Sequence, residues 1–542
     1  MKRKAPLILA IALCMIAPSA PAAASAPSAA AGPAAASGPA AASGLASGLA
    51  AASGGPAWAP AAPTSRTGAG DPFAACLPGA IDRLLADPAL AGAQTGVVVA
   101  DARTGRTLVD RRGGTRLLPA SNLKLLTSAA AMALLGPDHR FPTTVRSDGL
   151  RRGPVLDGDL YLRGSGDPAL TPSSLNTLAR DVAATGLRRV TGDLIGDDTA
   201  FDDVRLGLEW AWDDEYSADA APVSALTLSP DSDLKAGTVT VTVSADSSAV
   251  RLTPTTSRLR VINRTTASRV GPTTIDVTRR HGTNTIVVTG HITAGSAPEK
   301  RSVSVPDPTL LATEVFRSAL RRHGVQLDGK IRTARPTPAR APEVARHIGP
   351  PLRNLMAPLL KLSNNSMAEL LVKALGKGTW AAGTAAVAGY LGRLGIDPAT
   401  LRQVDGSGLS RRNLVPPAAL VRLLLAVRAE PWFATWFAAL PVAGNPDPRI
   451  GGTLRKRMLG TPAAGLVHAK TGSLTGASAL SGYVSGPRPV VFSVILNNQL
   501  APTVTPVIDA IAVALTQRYH EARPSVGRLA YCEYGRAETS LG

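Results

Sequence analysis

Aromatic residues are scarce, at 4% of a 542-residue chain, while hydrophobic residues together reach 45%. A sizeable core is available, but Ala, Val and Leu must build it. The length exceeds one ordinary domain, so two or three are expected. Histidine is sparse too. His139, His281, His291, His323, His347, His468 and His520 show none of the spacings that gather metal ligands. No metal and no other cofactor is expected. Lys and Arg outnumber Asp and Glu by 58 to 39, yet they form no dense run, no interleaved aromatic platform and no zinc-finger pattern. Those absences exclude the usual modes of nucleic-acid binding.

Cysteine occurs three times, at Cys14, Cys76 and Cys532. The first lies in a stretch with the layout of a secretory signal: Lys2, Arg3 and Lys4, an apolar run over 5–17, then small residues at Pro21-Ala22-Ala23-Ala24. That run is too short to span a bilayer comfortably. Leu13 precedes Cys14 where a lipoprotein signal wants a small residue. Residues 1–24 are therefore read as a signal peptide and 25–71, an Ala/Pro/Ser/Gly-rich stretch, as a disordered spacer. A secreted, extracytoplasmic, wall-associated protein is expected. An exported chain can join Cys76 to Cys532, or keep two unrelated buried thiols. In that setting the formal charge of +19 reads either as the ordinary result of an Arg-rich composition or as attraction to anionic cell-wall polymers.

Local patterns divide the rest. A short helix is expected over 80–86, a strand over 96–101 with a return over 106–110, and a helix over 120–135 with Pro119 near its start and Gly136 at its end. Residues 142–345 are rich in Asp, Thr, Val and Gly with short alternating strands such as Thr238-Val239-Thr240-Val241-Thr242-Val243. Helical character returns over 352–375. Three strand-like runs follow at 465–470, 479–484 and 489–496, then a helix over 503–519. The expectation is one α/β domain made of 72–141 and 346–530, with one or two separate β-rich domains, 142–345, inserted.

Three short motifs carry chemistry. In Ser121-Asn122-Leu123-Lys124, positions i and i+3 at a helix start share a face, placing an amine beside a hydroxyl. A desolvated Lys with a lowered pKa can take that hydroxyl proton. A second copy, Ser232-Asp233-Leu234-Lys235, follows a Ser-Pro pair and precedes a strand, so it reads as a loop. The next motif is Ser363-Asn364-Asn365, whose polar residues would also cap a helix; Ser174-Leu175-Asn176 mimics it inside the inserted block. The last is Lys470-Thr471-Gly472, followed by Ser473. A strand with these side chains can line a cleft, and Gly472 would let a substrate backbone approach. His468 is only a strand neighbour, and Asp213-Asp214-Glu215 reads as a solvated loop.

The three motifs in this order are those of penicillin-binding proteins and β-lactamases. The chain resembles the class C low-molecular-mass penicillin-binding proteins, the D-alanyl-D-alanine carboxypeptidase/endopeptidase family, over about 80–520. Gly158-Asp159-Leu160, Ala221-Pro222-Val223-Ser224-Ala225-Leu226 and Asp405-Gly406-Ser407-Gly408-Leu409 add to the likeness; Asn364 stands where Asp is common. The resemblance implies an α/β (α+β) serine β-lactamase/DD-peptidase-like transpeptidase domain with β-rich insertions. It also implies roles: Ser121 as nucleophile, Lys124 as general base, Ser363 and Lys470 passing a proton to the leaving amine, and Asn365 holding the peptide backbone. Gly472 would belong to the substrate-binding strand, Thr471 and Ser473 would bind the terminal carboxylate, and the N–H groups of Ser121 and Ser473 would form the oxyanion hole. Peptidoglycan stem peptides would be substrates and β-lactam antibiotics inhibitors. Two alternatives stand beside this. A serine β-lactamase usually has a smaller insertion than 125–362 and a Glu-x-x-x-Asn segment, for which this sequence has no convincing match. A non-catalytic wall-binding protein has no need of Ser121, Lys124 and Lys470.

Overall fold

The computed structural model describes residues 72–517 apart from 246–248, together with the backbone of two short strands, Tyr519–Glu521 and Cys532–Tyr534. The expected signal and spacer lie outside the described residues. Runs of Val, Ile and Leu build the central sheet. Its strands are β1 (Gln94–Asp101), β2 (Thr107–Arg111), β3 (Val467–Leu474), β4 (Ala477–Val484) and β5 (Val490–Asn497). They lie in the order β2-β1-β5-β4-β3, and every neighbouring pair is antiparallel. Early and late parts of the chain thus meet in one sheet, with Val97 opposite Val494 and Val99 opposite Phe492. All of β5 is buried, which is why it is apolar apart from Ser493 and the terminal Asn497.

The helices around this sheet are α1 (Pro72–Leu85), α2 (Lys124–Leu134), α3 (Leu352–Lys361), α4 (Asn365–Leu375), α5 (Pro417–Ala426) and α6 (Thr505–Ala514). Leu77 and Ile81 of α1 and Ile508 and Ile511 of α6 share an apolar cluster with Val97, Val99, Val494 and Leu496. The other side of the sheet receives α5 and the turn leading into α2. Three expectations shift in instructive ways. The first helix starts at Pro72 and runs through Pro78. The helical stretch over 352–375 breaks after α3, because Ser363 takes φ +58 and no helix continues through that conformation. The strand expected over 465–470 continues to Leu474, since its ladder with β4 stays in register to Ala477; the third motif therefore lies inside a strand.

The inserted block is not purely β, nor does it stand apart. Its largest sheet joins Pro142–Arg146, Leu160–Arg163, Leu194–Asp197, Ile331–Thr333 and Glu343–Ile348. The last of these runs past 345, pairing Ile348 with Pro142. Two helices also belong to it, Pro172–Ala184 and Pro308–Arg322. Thr171 and Asp307 cap them, each with Pro in the first turn, a start signal outweighed in the sequence by the surrounding strand-forming residues. The block packs into one compact unit with the rest of the fold. Phe201, Val223 and Ala225 share a cluster with Leu370, Val372 and Trp380. Lys373 Nζ, on a fully buried side chain, donates to Asp202 Oδ1 at 2.5 Å.

Cys76, on α1, is disulfide-bonded. Cys532 opens a strand whose side chains lie outside the described residues, and Cys14 falls within the expected signal. A peptide map of exported protein without reductant should therefore yield one linked pair containing Cys76 and Cys532. Cys76→Ser should lower stability by about 2–4 kcal/mol. Free thiols at both positions would refute the pairing.

Candidate active site

Ser121 sits in a 3-10 turn, Ala120–Leu123, that runs directly into α2 at Lys124. In such a turn residues three apart eclipse, so the Lys124 side chain lies over the Ser121 hydroxyl and its Nζ is 2.9 Å from Oγ. Ala120 begins the turn at φ +46, a region non-glycine residues seldom occupy. Its carbonyl is packed against Gly408, where a Cβ would come within 1.9 Å of it. Lys124 is completely buried. Its Nζ also donates to Asn365 Oδ1 at 2.6 Å and to the Ser407 carbonyl at 2.9 Å. Burial lowers its pKa to about 8 against the opposing pull of Asp219, Glu369 and Asp405. A neutral amine has two hydrogens and one lone pair. With both hydrogens held by Asn365 and Ser407, the lone pair faces Ser121.

The second motif occupies the break between α3 and α4. Asn364 caps α4, its Oδ1 accepting from Met367 N at 2.9 Å. Its Nδ2 donates to the Asp233 and Leu234 carbonyls at 3.1 and 2.7 Å. An Asp here would keep the cap but lose both donations, which accounts for the departure from the common residue. The segment containing Ser232 is accordingly an irregular loop, as expected, but one that anchors the second motif. Asn365 Nδ2 donates to the Asp219 carbonyl at 2.9 Å, so the inserted block also orients the amide that touches Lys124.

Lys470 is the second fully buried amine, donating to Ser363 Oγ at 2.8 Å and to the Thr471 carbonyl at 2.9 Å. Burial, then the nearby charge of Lys124, holds its pKa well below the ordinary lysine value. The Thr471 hydroxyl meets Thr453 Oγ1 at 2.9 Å, and Ser473 is exposed. Gly472 has a different neighbour from the one expected. A Cβ there would lie 2.5 Å from the Pro119 carbonyl and 2.8 Å from Asn122 Nδ2. The bare α-carbon admits the turn that carries Ser121, which keeps β3 against it.

Ser121, Ser363, Asn365, Thr471 and Ser473 line a single open cleft of about 1040 Å³, with the Lys124 and Lys470 amines behind its wall. The same cleft is lined by residues the sequence reading passed over: Asp214, Ser217, Asp219, Arg411 and Thr453. The run Asp213-Asp214-Glu215 is solvated only in part: Asp213 is exposed, while Asp214 and Glu215 are half-buried. Asp214 lines the cleft, and burial followed by Asp213 and Asp219 raises its pKa. Glu215 pairs with Arg279 at 2.9 Å. Glu369 is completely buried and accepts from Gly406 N, Ser407 N and Trp380 Nε1 at 2.9, 2.7 and 2.7 Å. It fixes the loop whose Ser407 carbonyl meets Lys124. A lone carboxylate inside the apolar run Met367-Ala368-Glu369-Leu370-Leu371 was the signal for it. His468 stacks on Phe437 with ring centroids 4.6 Å apart. Burial and Lys361 push its pKa down to about 4, leaving a neutral packing residue.

Against known families, residues 77–519 match the D-Ala-D-Ala carboxypeptidase 3 (S13) family. The chain belongs to that family. It is 43% identical over 464 residues to the D-alanyl-D-alanine carboxypeptidase of an Actinomadura species, covering 83% of this chain and 86% of that one. Identity to the D-alanyl-D-alanine carboxypeptidase DacB of Haemophilus influenzae is 28% over 408 residues, or 73% of this chain and 83% of the relative. The crystal structure of penicillin binding protein 4 from Haemophilus influenzae superposes with a TM-score of 0.68 at 26% identity, covering 80% of this chain and 98% of that one. The protein is a serine-type D-Ala-D-Ala carboxypeptidase with a penicillin-binding DD-peptidase fold, which sets aside both the β-lactamase and the non-catalytic readings.

Two outcomes follow from this geometry. In the base role expected of it, Lys124 has to be neutral to take a proton from Ser121. The rate of acylation by a penicillin should therefore climb with pH through about 8 and level off above it; a flat profile from pH ~6 to ~10 would contradict that role. Thr453→Val should leave acylation intact but narrow the preference for a peptide with a free terminal carboxylate over its amide. A loss of about 0.5–1.5 kcal/mol is expected for one hydroxyl contact, read as the ratio of kcat/KM values.

Proposed function

We propose that Ser121 attacks the carbonyl between the two terminal D-alanines of a peptidoglycan stem peptide. Its proton passes to Lys124. The tetrahedral oxyanion is held by the N–H groups of Ser121 and Ser473. As the C–N bond breaks, the Lys470–Ser363 pair gives a proton to the departing D-alanine amine. Water then attacks the ester, returning a proton to Ser363 and Lys470, while Lys124 reprotonates the released Ser121. The observation that carries this reading is the buried Lys124 amine, with its hydrogens taken by Asn365 and Ser407 and Ser121 at 2.9 Å. Thr471 and Ser473 hold the terminal carboxylate, with Lys470 adding positive field. Gly472 keeps that strand close to the nucleophile, and Asn365 meets the peptide backbone.

The catalytic unit in this proposal is 72–141 with 346–530, and the block 142–345 shapes the cleft through Asp214, Ser217 and Asp219. The protein works outside the cytoplasm at the cell wall, where its +19 charge draws it to anionic wall polymers. The signal-like residues 1–24 support this, and among the described residues no helix is long and apolar enough to cross a membrane.

A penicillin carries a strained amide next to a carboxylate, so it enters the same cleft and acylates Ser121. Intact-mass and peptide analysis with a fluorescent penicillin should find one long-lived label, on the peptide containing Ser121. Ser121→Ala should abolish it and Ser232→Ala should not. Rapid turnover without accumulation, or folded protein that neither labels nor releases D-alanine, would sink the assignment. For the carboxylate contacts, a peptide ending in D-Ala-D-Ala should be favoured over its C-terminal amide by about 1.5–3 kcal/mol; equal hydrolysis would contradict them.

A further inference from the structure

In the largest inserted sheet, the strands Leu160–Arg163, Pro142–Arg146 and Glu343–Ile348 are consecutive neighbours, the last at the edge. The register sets Arg163 and Arg346 on either side of Thr144. Arg146 lies two residues further along the middle strand, so the two-residue period puts it on the same face. The opposite face is core, with Val145 and Leu162 fully buried and Ala345 packed against them. On the open face the three arginines, with Thr144, Ser165 and Ala200, line a cleft of about 610 Å³.

Counter-charge there is thin. Glu343 serves both Arg346, at 2.8 and 2.7 Å, and Arg146, at 3.4 Å. Asp197 is 3.7 Å from Arg163, beyond hydrogen-bond reach, and its oxygens already accept from Thr199 and Thr337. Arg146 Nε is buried with no hydrogen-bond partner. Two carboxylates thus serve three arginines, and the face keeps a net positive charge, although like charges on adjacent strands destabilise a sheet. Guanidinium forks match oxyanions. Three forks converging from three strands offer more donors than one planar carboxylate can accept, whereas successive phosphodiester groups along a polymer, each with two anionic oxygens, can engage them together.

We propose that this face is a phosphate-binding site that takes the phosphodiester groups of an anionic wall polymer. The polymer as partner rests on the extracytoplasmic reading above; the phosphate chemistry rests on the three arginines. The test uses the full chain and a fluorescent poly(glycerol phosphate). Arg163→Gln/Arg346→Gln should weaken binding by about tenfold and reduce the slope of log affinity against log salt by about 1–2. Arg321→Gln/Arg322→Gln removes the same charge at the end of the helix Pro308–Arg322 and should bind as the unaltered protein does. Arg163→Gln alone, which breaks no short hydrogen bond, gives the same reading in smaller measure if the double variant folds poorly. Equal losses in the two double variants would reduce the effect to net charge and overturn the site. So would polyglutamate of matched charge binding as tightly. Inorganic phosphate should compete, but far more weakly than the polymer; equal strength would overturn the polymer assignment. Penicillin labelling of Ser121 should be unchanged in every variant, so failure here and failure of the catalytic reading are told apart.

Discussion

An amine buried to exclusion of solvent has only the partners the fold supplies, and Lys124 has three: Ser121, Asn365 and Ser407. Each partner reaches back into a different part of the molecule. Asn365 is oriented by the Asp219 carbonyl of the inserted block. Ser407 is fixed by Glu369, and the same loop by Asp405, which accepts from Gly408 N, Ser410 N, Asn413 Nδ2 and Trp210 Nε1. Burial, and for Glu369 also its neighbour Asp405, holds both carboxyl groups above their usual range. Protonation is therefore less costly for them than for exposed carboxylates, and their attraction for Lys124 is weaker. Desolvation wins the contest, and the lysine's pKa falls to about 8.

The same site concentrates unusual backbone. Ala120, beside Ser121, and Ser363 take φ +46 and +58, each costing about 1–3 kcal/mol for a residue with a side chain. Both are over-determined by their surroundings. Ala120 is pinned beneath Gly408 and beside β3 through Pro119 and Gly472. Ser363 is pinned by Lys470 on its hydroxyl and by the Asn364 cap that follows it. Glycine at 472 is required by close approach alone, and at 408 by close approach together with a φ of +88.

What was legible in the sequence was local. Ser121 and Lys124 are three apart and meet for that reason, and the strand-forming runs of β1, β4 and β5 announce themselves by composition. The Ser407 carbonyl could not be foreseen, because backbone groups leave no mark in side-chain patterns and its partner is 283 residues away. The Asp214, Ser217 and Asp219 contribution was hidden for a similar reason: acidic and small polar residues in a short turn look the same whether they face water or a cleft. The two inserted helices were obscured by surrounding strands, although Thr171-Pro172 and Asp307-Pro308 mark their starts. Gly472 was read for the right property, absence of a side chain, but its neighbour is protein.

The central sheet is completed by strands from opposite ends of the folded chain: β1 and β2 end at Arg111, and β3 does not begin until Val467. Pairing β1 with β5 closes a very long loop, and such contacts form late and slowly. The turn carrying Ser121 emerges early, yet β3, which holds it in place, is among the last segments to be made. A chain made from its N-terminus thus carries no finished active site until almost its whole length is available. The first strands wait on the last for the cleft to close.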